Sequence, residues 1–244
     1  MGLNINIDKT IDLIGYKGKF LPSLVSILKY MSNDKNIKTI EQGAYMLATA
    51  NIESGYSLQR WESDFSCGKT GVPYTSSPCD TALNYYKSTE GGKSNYYKSG
   101  VDSNGLPYFG RGMIQLSLKD NYRIYGGYIG VDLVKHPDLA LVPINSYRIA
   151  SKYMVTHKYL GKTTFQWVDA GNLTNARKSV NGGTRDLQAV NTSYKKWLSI
   201  LNKTARVSDS NTTDVSLKVV GLTAFVVVLT YVAYKYYNNS KNTK

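Results

Sequence analysis

The stretch NIKTIEQGAYMLATANIESG, from Asn36 to Gly55, has the residue spacing of an α-helix. Ile40, Ala44, Leu47 and Ala48 recur at intervals of three and four and would share one face. Gly55 is a typical C-terminal stop, because glycine adopts the left-handed conformation that ends many helices. The prediction is a helix that closes with Glu53 in its last turn.

Similar periodicity occurs elsewhere in the chain, over residues 20–31, 144–160 and 186–203. Residues 66–108 are rich in Gly, Ser, Tyr, Asn and Pro and predict loops or a short hairpin. No long stretch alternates between polar and apolar residues in the way that a strand would. The sequence therefore predicts a mainly α domain.

Two of the chain's four glutamates, Glu53 and Glu62, stand nine residues apart with SGYS between them. On one continuous helix they would lie about 13.5 Å apart on different faces, but the glycine makes that continuity unfavourable. If the chain turns back after Glu53, two carboxyls can face each other across a cleft, as glycoside hydrolysis requires. Two solvated surface charges remain the alternative at this point.

The segment GLPYFGRGMIQLSLKDNYRIYG, Gly105 to Gly126, carries a more specific pattern. Its aromatic-aromatic-Gly-Arg-Gly-x-x-Gln-Leu-Ser block, Tyr108 to Ser117, resembles the signature of glycoside hydrolase family 19, the family of chitinases and phage endolysins. The similarity continues in order through residues 130–143 (GVDLVKHPDLALVP) and 176–183 (ARKSVNGG), and covers roughly residues 20–200. The nine-residue glutamate spacing resembles that of the compact phage endolysins.

That resemblance implies a lysozyme-like helical domain in which a small loop or β-hairpin region lines a cleft. It also implies roles for Glu53 as general acid, Glu62 as general base, and Ser117 in positioning the attacking water or a sugar group. Three further polar residues are implied to hydrogen-bond sugar hydroxyls and N-acetyl groups: Gln115, Tyr122 and Asn181. Gln115 and Tyr122 have a second interpretation as structural polar residues of the cleft wall.

The surroundings of the two glutamates agree with these roles. Glu53 follows Ile52 on an apolar helix face, which would disfavour its charged form, whereas Arg60 would favour the carboxylate of Glu62. One departure concerns the residue before the acid, which is commonly histidine in the family and is Ile52 here, after Asn51.

The glycines of the matched blocks have structural interpretations. We expect those of the Gly110–Gly112 segment to allow tight turns and Arg111 to be a buried ion-pair or scaffold residue. The segment is no phosphate loop, because the Lys-Ser/Thr pair and the preceding strand are missing. Gly182 and Gly183 are expected to let the chain approach substrate or a neighbouring helix closely.

Composition limits the remaining function classes. The net charge of +13 is spread along the chain without a nucleic-acid recognition motif, so it fits cell-wall polymers or anionic lipid better than nucleic acid. His136 and His157 are isolated, and Cys67 and Cys79 lack neighbouring ligands, so the sequence predicts neither a metal site nor a cofactor. A disulfide and two free thiols remain equal alternatives for the cysteines.

The C-terminal region differs in character from the domain at residues 1–207. A polar linker at 208–214 precedes a charge-free apolar run, Val219 to Tyr234, between Lys218 and Lys235. Sixteen residues span roughly 24 Å as a helix, and flanking tyrosines and lysines extend that length to the headgroups. We expect a transmembrane helix at 215–237, followed by a short basic tail at 238–244.

Together these features predict a membrane-anchored glycoside hydrolase that cuts the glycan strands of bacterial peptidoglycan by a two-glutamate, inverting mechanism. It would be held in a phage virion membrane or in a host membrane and contact the bilayer through its C-terminal helix. A chitinase and a non-catalytic, membrane-tethered peptidoglycan-binding protein are the alternatives. A lytic transglycosylase would need only one acid, so a requirement for Glu62 would distinguish hydrolysis from the transglycosylase reaction.

Overall fold

The computed structural model describes residues 2–61, 100–103 and 107–207. The chain separates into two units, Met1–Ser208 and Asp209–Lys244, and every described element belongs to the first. The helices of the described residues are α1 (Ile7–Ile14), α2 (Leu21–Met31), α3 (Ile40–Ser54), α4 (Lys119–Ile129), a 3₁₀ helix (Pro137–Leu141), α5 (Pro143–Thr156), α6 (Thr164–Asp169), α7 (Leu173–Asn181) and α8 (Leu187–Thr204). The mainly α prediction is therefore confirmed for this part of the chain.

The described strands are short and form two antiparallel pairs. They are β1 (Leu3–Ile5), β2 (Lys158–Tyr159), β3 (Lys162–Thr163) and β4 (Ala205–Val207). Strand β1 pairs with β4, so that Leu3 lies opposite Val207, and β2 pairs with β3. The first pair joins the two ends of the described domain, and a buried hydrogen bond of 2.8 Å between the Thr10 and Thr204 hydroxyls lies beside it.

Helix α3 lies at the centre of the core. The Thr39 hydroxyl accepts a hydrogen bond from the Gln42 amide at its start, and Gly55 ends it with a φ of 61°, as predicted. Every residue from Gln42 to Ala50 is buried, on all sides of the helix. The single apolar face expected from the sequence is thus too narrow a description, because α8, α6 and other elements pack around α3 and leave no solvent side between its first and last turns.

The predicted helix over 144–160 ends earlier than its periodicity indicated. Helix α5 stops at Thr156, and the chain turns into the β2–β3 hairpin, with Leu160 and Gly161 at positive φ. His157 follows the last helical residue, and its ring stacks on Tyr153 with centroids 4.4 Å apart. The apolar residues of this segment therefore pack a helix end and a hairpin.

The predicted linker at 208–214, the transmembrane helix at 215–237 and the tail at 238–244 lie outside the described residues. Among the helices that are described, none combines the length and apolar character needed to cross a bilayer. Most of the predicted loop and hairpin region at 66–108 also lies outside them.

Candidate active site

Glu53 occupies the last turn of α3, where the buried helix reaches the surface. Its side chain is 18% exposed, whereas the residues of the helix from Gln42 to Ala50 are enclosed by the core. The left-handed Gly55 then turns the chain away, with its amide donating back to Asn51. The carboxyl group is therefore presented at a surface by a rigid element.

A buried arginine from α7 holds this carboxyl group. Arg177 Nη1 donates a charge-assisted hydrogen bond to Glu53 Oε1, and the arginine side chain is 2% exposed. Arg177 Nε donates to the Arg185 carbonyl at 2.8 Å, and Nη2 lies 4.0 Å from Asp186 Oδ2. Because the loop after α7 fixes the guanidinium on its other edge, the arginine can set the direction of the carboxylate.

This pairing changes the sequence-based description of the site. The expectation that Glu53 is largely removed from solvent agrees with its exposure of 18%, but the carboxyl group also pairs with a cation, which the expected apolar environment did not include. Sequence reasoning also missed Arg177, although it stands in the ARKSVNGG block that carried part of the family resemblance. The available signal is the single arginine of that block, a residue type that pairs with carboxylates.

Two tyrosines lie in the core near Glu53 and add no charge of their own. Burial raises the pKa of Tyr45 and of Tyr153 well above the ordinary value, and the negative charge of Glu53 raises both further. Both phenols therefore stay neutral at any physiological pH. The charge balance at this end of α3 is set by Glu53, Arg177 and Asp186.

The signature block forms a tight turn beside the segment that leads to Glu62. Arg111 and Leu116 exchange two backbone hydrogen bonds of 3.1 and 2.9 Å. Gly112 adopts a φ of 79° within the turn, and a Cβ there would lie 2.7 Å from the Ser146 hydroxyl. The expectation that these glycines permit a tight turn is confirmed at Gly112.

Gln115 links this turn to the neighbouring chain. Its side-chain amide donates to the carbonyls of Arg60 at 3.1 Å and Gly112 at 2.9 Å, and its own φ is 55°. Ser117 follows with a partly exposed side chain, and its carbonyl accepts from Asn121. The roles of Gln115 in sugar binding and of Ser117 in positioning water stay predictions.

Arg111 is the scaffold residue that the sequence predicted. It is 1% exposed, its Nε donates to Asp138 at 3.0 Å, and its Nη1 donates to the Tyr122 hydroxyl at 2.9 Å. The guanidinium lies 4.7 Å from the Trp61 ring centroid and 4.4 Å from that of Phe109. The interpretation as a buried scaffold residue is confirmed, whereas the carboxylate that pairs with it, Asp138, is 64% exposed.

Tyr122 belongs to the same buried cluster. It is fully buried, and its hydroxyl donates to the Phe109 carbonyl at 2.8 Å while accepting from Arg111. These contacts favour the structural interpretation of Tyr122 over direct contact with a sugar, because the hydroxyl is already engaged on the protein side.

Asn181 is exposed at the end of α7, and its Oδ1 accepts from the Gly183 amide at 3.1 Å. Its predicted contact with a sugar stays a prediction. The expected close approach to a neighbouring helix is wrong, because a Cβ at Gly182 would meet nothing within 4 Å and one at Gly183 would meet only Asn181 Oδ1, at 3.9 Å. The expected close approach to substrate stays a prediction. Gly182 is needed for its φ of 74°, which ends α7.

Glu62, Cys67 and Cys79 lie outside the described residues, so the predicted pairing of Glu53 with Glu62 stays a prediction. The chain that leads to Glu62 is described. Trp61 forms a backbone bridge with Arg111, and Gly112 donates to the Arg60 carbonyl at 2.8 Å. Across residues 2–61, 100–103 and 107–207, no group of three His, Cys, Asp or Glu side chains is arranged to hold a metal ion.

A groove of about 1080 Å³ borders the site on its other side, and we name it the α8 groove. One wall is α8 with the preceding loop, the second is the end of α3, and the third is the end of α1. The groove is lined by Asn51 and by Ile52, the residue at the position where the family commonly has a histidine before the acid. Asn51 Nδ2 donates to the Ser193 hydroxyl. Asp186 also lines it, so the groove begins next to Arg177.

The family model described as chitinase class I, glycoside hydrolase 19, matches residues 44–185, more than half of the chain. The chain belongs to glycoside hydrolase family 19. The matched range contains Glu53, the signature block and Arg177, so the family prediction made from the sequence is confirmed.

This family 19 chain is similar to two curated plant proteins over short ranges. It is 38% identical over 72 residues to chitinase 11 of Oryza sativa subsp. japonica and 47% identical over 53 residues to an endochitinase of Solanum tuberosum. These ranges cover 27% and 21% of this chain. They cover only 28% and 16% of the two relatives.

Solved structures are similar over a longer range. Chitinase C from Streptomyces griseus HUT6037 superposes with a TM-score of 0.52 at 17% identity, covering 81% of this chain and 92% of that chain. A mutant of chitinase C gives a TM-score of 0.52 at 18% identity over the same shares. The likeness shows the fold of this family 19 chain, a mainly helical, lysozyme-like chitinase fold with small strands.

Proposed function

We propose that this chain is a glycoside hydrolase that cleaves N-acetylhexosamine polymers with Glu53 as the general acid. The observation that carries the proposal is the Glu53–Arg177 pair, a part-exposed carboxyl group at the end of a buried helix, oriented by a buried guanidinium. A catalytic acid has to be held within hydrogen-bond reach of the leaving oxygen, and rigid support of this kind supplies that precision.

In the proposed reaction Glu53 donates a proton to the glycosidic oxygen as the bond to the anomeric carbon breaks. Glu62 accepts a proton from a water molecule, and the oxygen of that water attacks the anomeric carbon from the opposite face. Such inversion needs about 6.5 to 9.5 Å between the two carboxyl groups, to leave room for the water. The anchored Trp61 and the Gln115 bridge to Arg60 would fix the chain that carries Glu62.

Chitin is the first candidate substrate. The two curated relatives are named as a chitinase and an endochitinase, and the superposed structures are chitinases. Bacterial peptidoglycan is the second candidate, favoured by the net charge of +13, because its peptide stems carry carboxylates whereas chitin is neutral. Both polymers contain N-acetylglucosamine, so the same catalytic pair could serve either one.

The test is digestion of chito-oligosaccharides and of purified peptidoglycan by the full-length chain, with mass analysis of the products and NMR of the new reducing end. We expect hydrolysis with inversion at the anomeric carbon. An anhydro product would indicate a lytic transglycosylase, and binding without cleavage of either polymer would indicate a non-catalytic module.

The variant Glu62→Gln tests whether the reaction uses two carboxylates or Glu53 alone. The amide cannot accept a proton from water, so turnover should fall about 10² to 10⁴-fold while glycan binding is retained. Full activity in this variant would contradict the two-carboxylate mechanism and leave Glu53 as a lone acid.

We also propose that residues 215–237 anchor the enzyme in a membrane, in a phage virion or in the host. The charge-free run between Lys218 and Lys235 supports this proposal. Extraction of membranes at alkaline pH should leave the full chain in the pellet and release a variant that lacks 215–237. Detection of the chain in purified phage particles would assign it to the virion, and its restriction to host membranes would exclude that location.

A further inference from the structure

The α8 groove starts at Asp186, next to the Arg177 that pairs with Glu53, and runs along α8. Asp186 stands at its catalytic end and Lys196 lies ten positions further along α8, which corresponds to about 15 Å at 1.5 Å per residue. The volume of about 1080 Å³ is at the upper end of what small-molecule sites enclose. The groove therefore has the length and volume for a segment of polymer.

The floor of the groove is aromatic and rigid. Tyr56 is 4% exposed and receives a hydrogen bond of 3.0 Å from Trp197 Nε1, and burial raises its pKa to about 12. Tyr16 packs edge-to-face on Tyr56 with ring centroids 5.4 Å apart and is itself partly exposed. A partly exposed tyrosine ring held against a buried one offers aromatic carbon on which the apolar face of a sugar ring can pack.

The walls supply the complementary polar groups. The hydrogen-bonding side chains that line them, amides and hydroxyls that match sugar hydroxyls and N-acetyl groups, are Asn51, Thr184, Gln188, Thr192 and Ser193. A mixture of aromatic carbon and neutral hydrogen-bonding groups is typical of a carbohydrate site.

The two ends of the groove differ in charge. Lys17 and Lys196 share one end, where Lys196 Nζ donates to the Ile14 carbonyl at 3.3 Å. An ammonium group has three donors, so two remain on Lys196 for a ligand. At the other end Asp186 lies 4.0 Å from Arg177 and 3.7 Å from Arg185, so its negative charge is already matched by cations.

We propose that the α8 groove binds a glycan strand that bears acidic substituents, with the carboxylates of those substituents paired to Lys17 and Lys196. The inference rests on the proposed glycosidase function and narrows its substrate class. A strand that leaves the catalytic pair past Asp186 would pass over Tyr16 and Tyr56 and bring its carboxylate-bearing branch to the lysines. A neutral polymer would use the same floor and walls without the two ion pairs.

The experiment compares a groove variant, Lys17→Gln with Lys196→Gln, against a matched control, Lys29→Gln with Lys195→Gln. The control lysines are exposed and lie outside the groove, and Lys195 is on the same helix. Both are made in the full-length chain with Glu53→Gln, so that the ligand is not consumed. The probes are soluble peptidoglycan fragments with their peptide stems and neutral chito-oligosaccharides of the same number of sugars.

We expect the groove variant to bind the peptide-bearing fragments about tenfold more weakly than the control, as two exposed ion pairs predict. The difference should vanish near 1 M salt, where the screening length is about 3 Å, and neutral oligosaccharides should bind both variants equally. Equal affinity of the two variants for the acidic fragments, or an equal loss for both probes, would overturn the proposal.

A second pair of variants tests whether the groove itself is occupied. Thr192→Trp fills the groove, whereas Ser199→Trp adds the same side chain to an exposed position of α8 outside it. Only Thr192→Trp should weaken binding of the acidic fragments, and normal binding in that variant would overturn the assignment. Because these readouts measure binding, a chain that hydrolyses neither polymer would refute the proposed function while leaving the groove to be judged separately.

Discussion

The described part of the molecule contains two arginines that are each about 1% exposed. Their surroundings differ, and the difference distinguishes a structural arginine from one that contacts the proposed catalytic acid. Arg111 lies against the rings of Trp61 and Phe109, and its carboxylate partner, Asp138, is 64% exposed. Arg177 contacts Glu53, which is 18% exposed, and is held on its other edge by the backbone of Arg185.

The difference shows which part of the molecule each guanidinium holds in place. At Arg111 the fixed elements are the aromatic rings and the carbonyl of Phe109, so the arginine ties the signature turn to the core. At Arg177 the fixed elements are a helix and a loop, and the group that it orients, the Glu53 carboxyl, is itself largely buried at 18% exposure. The burial of the two arginines does not distinguish them, because it is the same. They differ in which carboxylate they contact and in how exposed that carboxylate is.

The strongest test of this distinction removes the proposed proton donor, Glu53, beside the second arginine. Glu53→Gln keeps the shape and a hydrogen-bond acceptor for Arg177 but cannot donate a proton at neutral pH. Turnover should fall about 10² to 10⁴-fold, measured as kcat on whichever polymer is cleaved. Glu41→Gln, an exposed position in the first turn of the same helix, is the matched control and should retain full activity.

Arg111→Lys should have the next largest effect, and it should be on stability. Lysine keeps the charge but loses the planar group that stacks on two rings and bonds Asp138 and Tyr122 together. We expect a loss of about 2 kcal/mol, which for a domain of this size lowers Tm by roughly 4–8 °C. Calorimetry measures the change in Tm. An unchanged Tm would show that the packing of Trp61 and Phe109 does not depend on the planar guanidinium of Arg111.

Arg177→Lys makes the same substitution at the other arginine and should affect turnover more than folding. A lysine reaches Glu53 without the second edge that bonds the Arg185 carbonyl, so the carboxyl loses its fixed direction. A misplacement near 1 Å costs on the order of 10² in rate, so kcat should fall by about that factor with KM nearly constant. A parallel drop in Tm as large as that of Arg111→Lys would make Arg177 a scaffold residue as well.

The smallest effect concerns His157, which lies outside both arginine clusters and stacks on Tyr153. Burial lowers the pKa of His157 below its ordinary 6.5, so the folded state binds this proton less readily than the unfolded chain. This contribution to stability is fully present above pH 6.5 and is lost as the pH falls from 6.5 through the lower pKa of the folded state. In urea unfolding between pH 8 and 5, His157→Phe should lose less stability than the wild type, and parallel pH profiles would contradict this.

The sequence by itself determined the class of fold and the family. Apolar residues at intervals of three and four predicted α2, α3 and α8, because a helix that packs on a core has its apolar residues at that spacing. Gly55 specified where α3 ends, because the left-handed conformation there favours glycine. The signature block identified the family and predicted that Arg111 is buried. Both could be inferred locally, since the residues that form a tight turn are neighbours in the sequence.

Only the tertiary structure decided which groups surround Glu53. Arg177 is 124 positions from Glu53 along the chain, and no local pattern indicates that α7 packs so that these two side chains meet. The same holds for the α8 groove, whose walls come from three separated helices, and for the complete burial of Tyr122. Residue spacing encodes a helix and its faces, whereas the contacts of those faces follow from how the whole core packs.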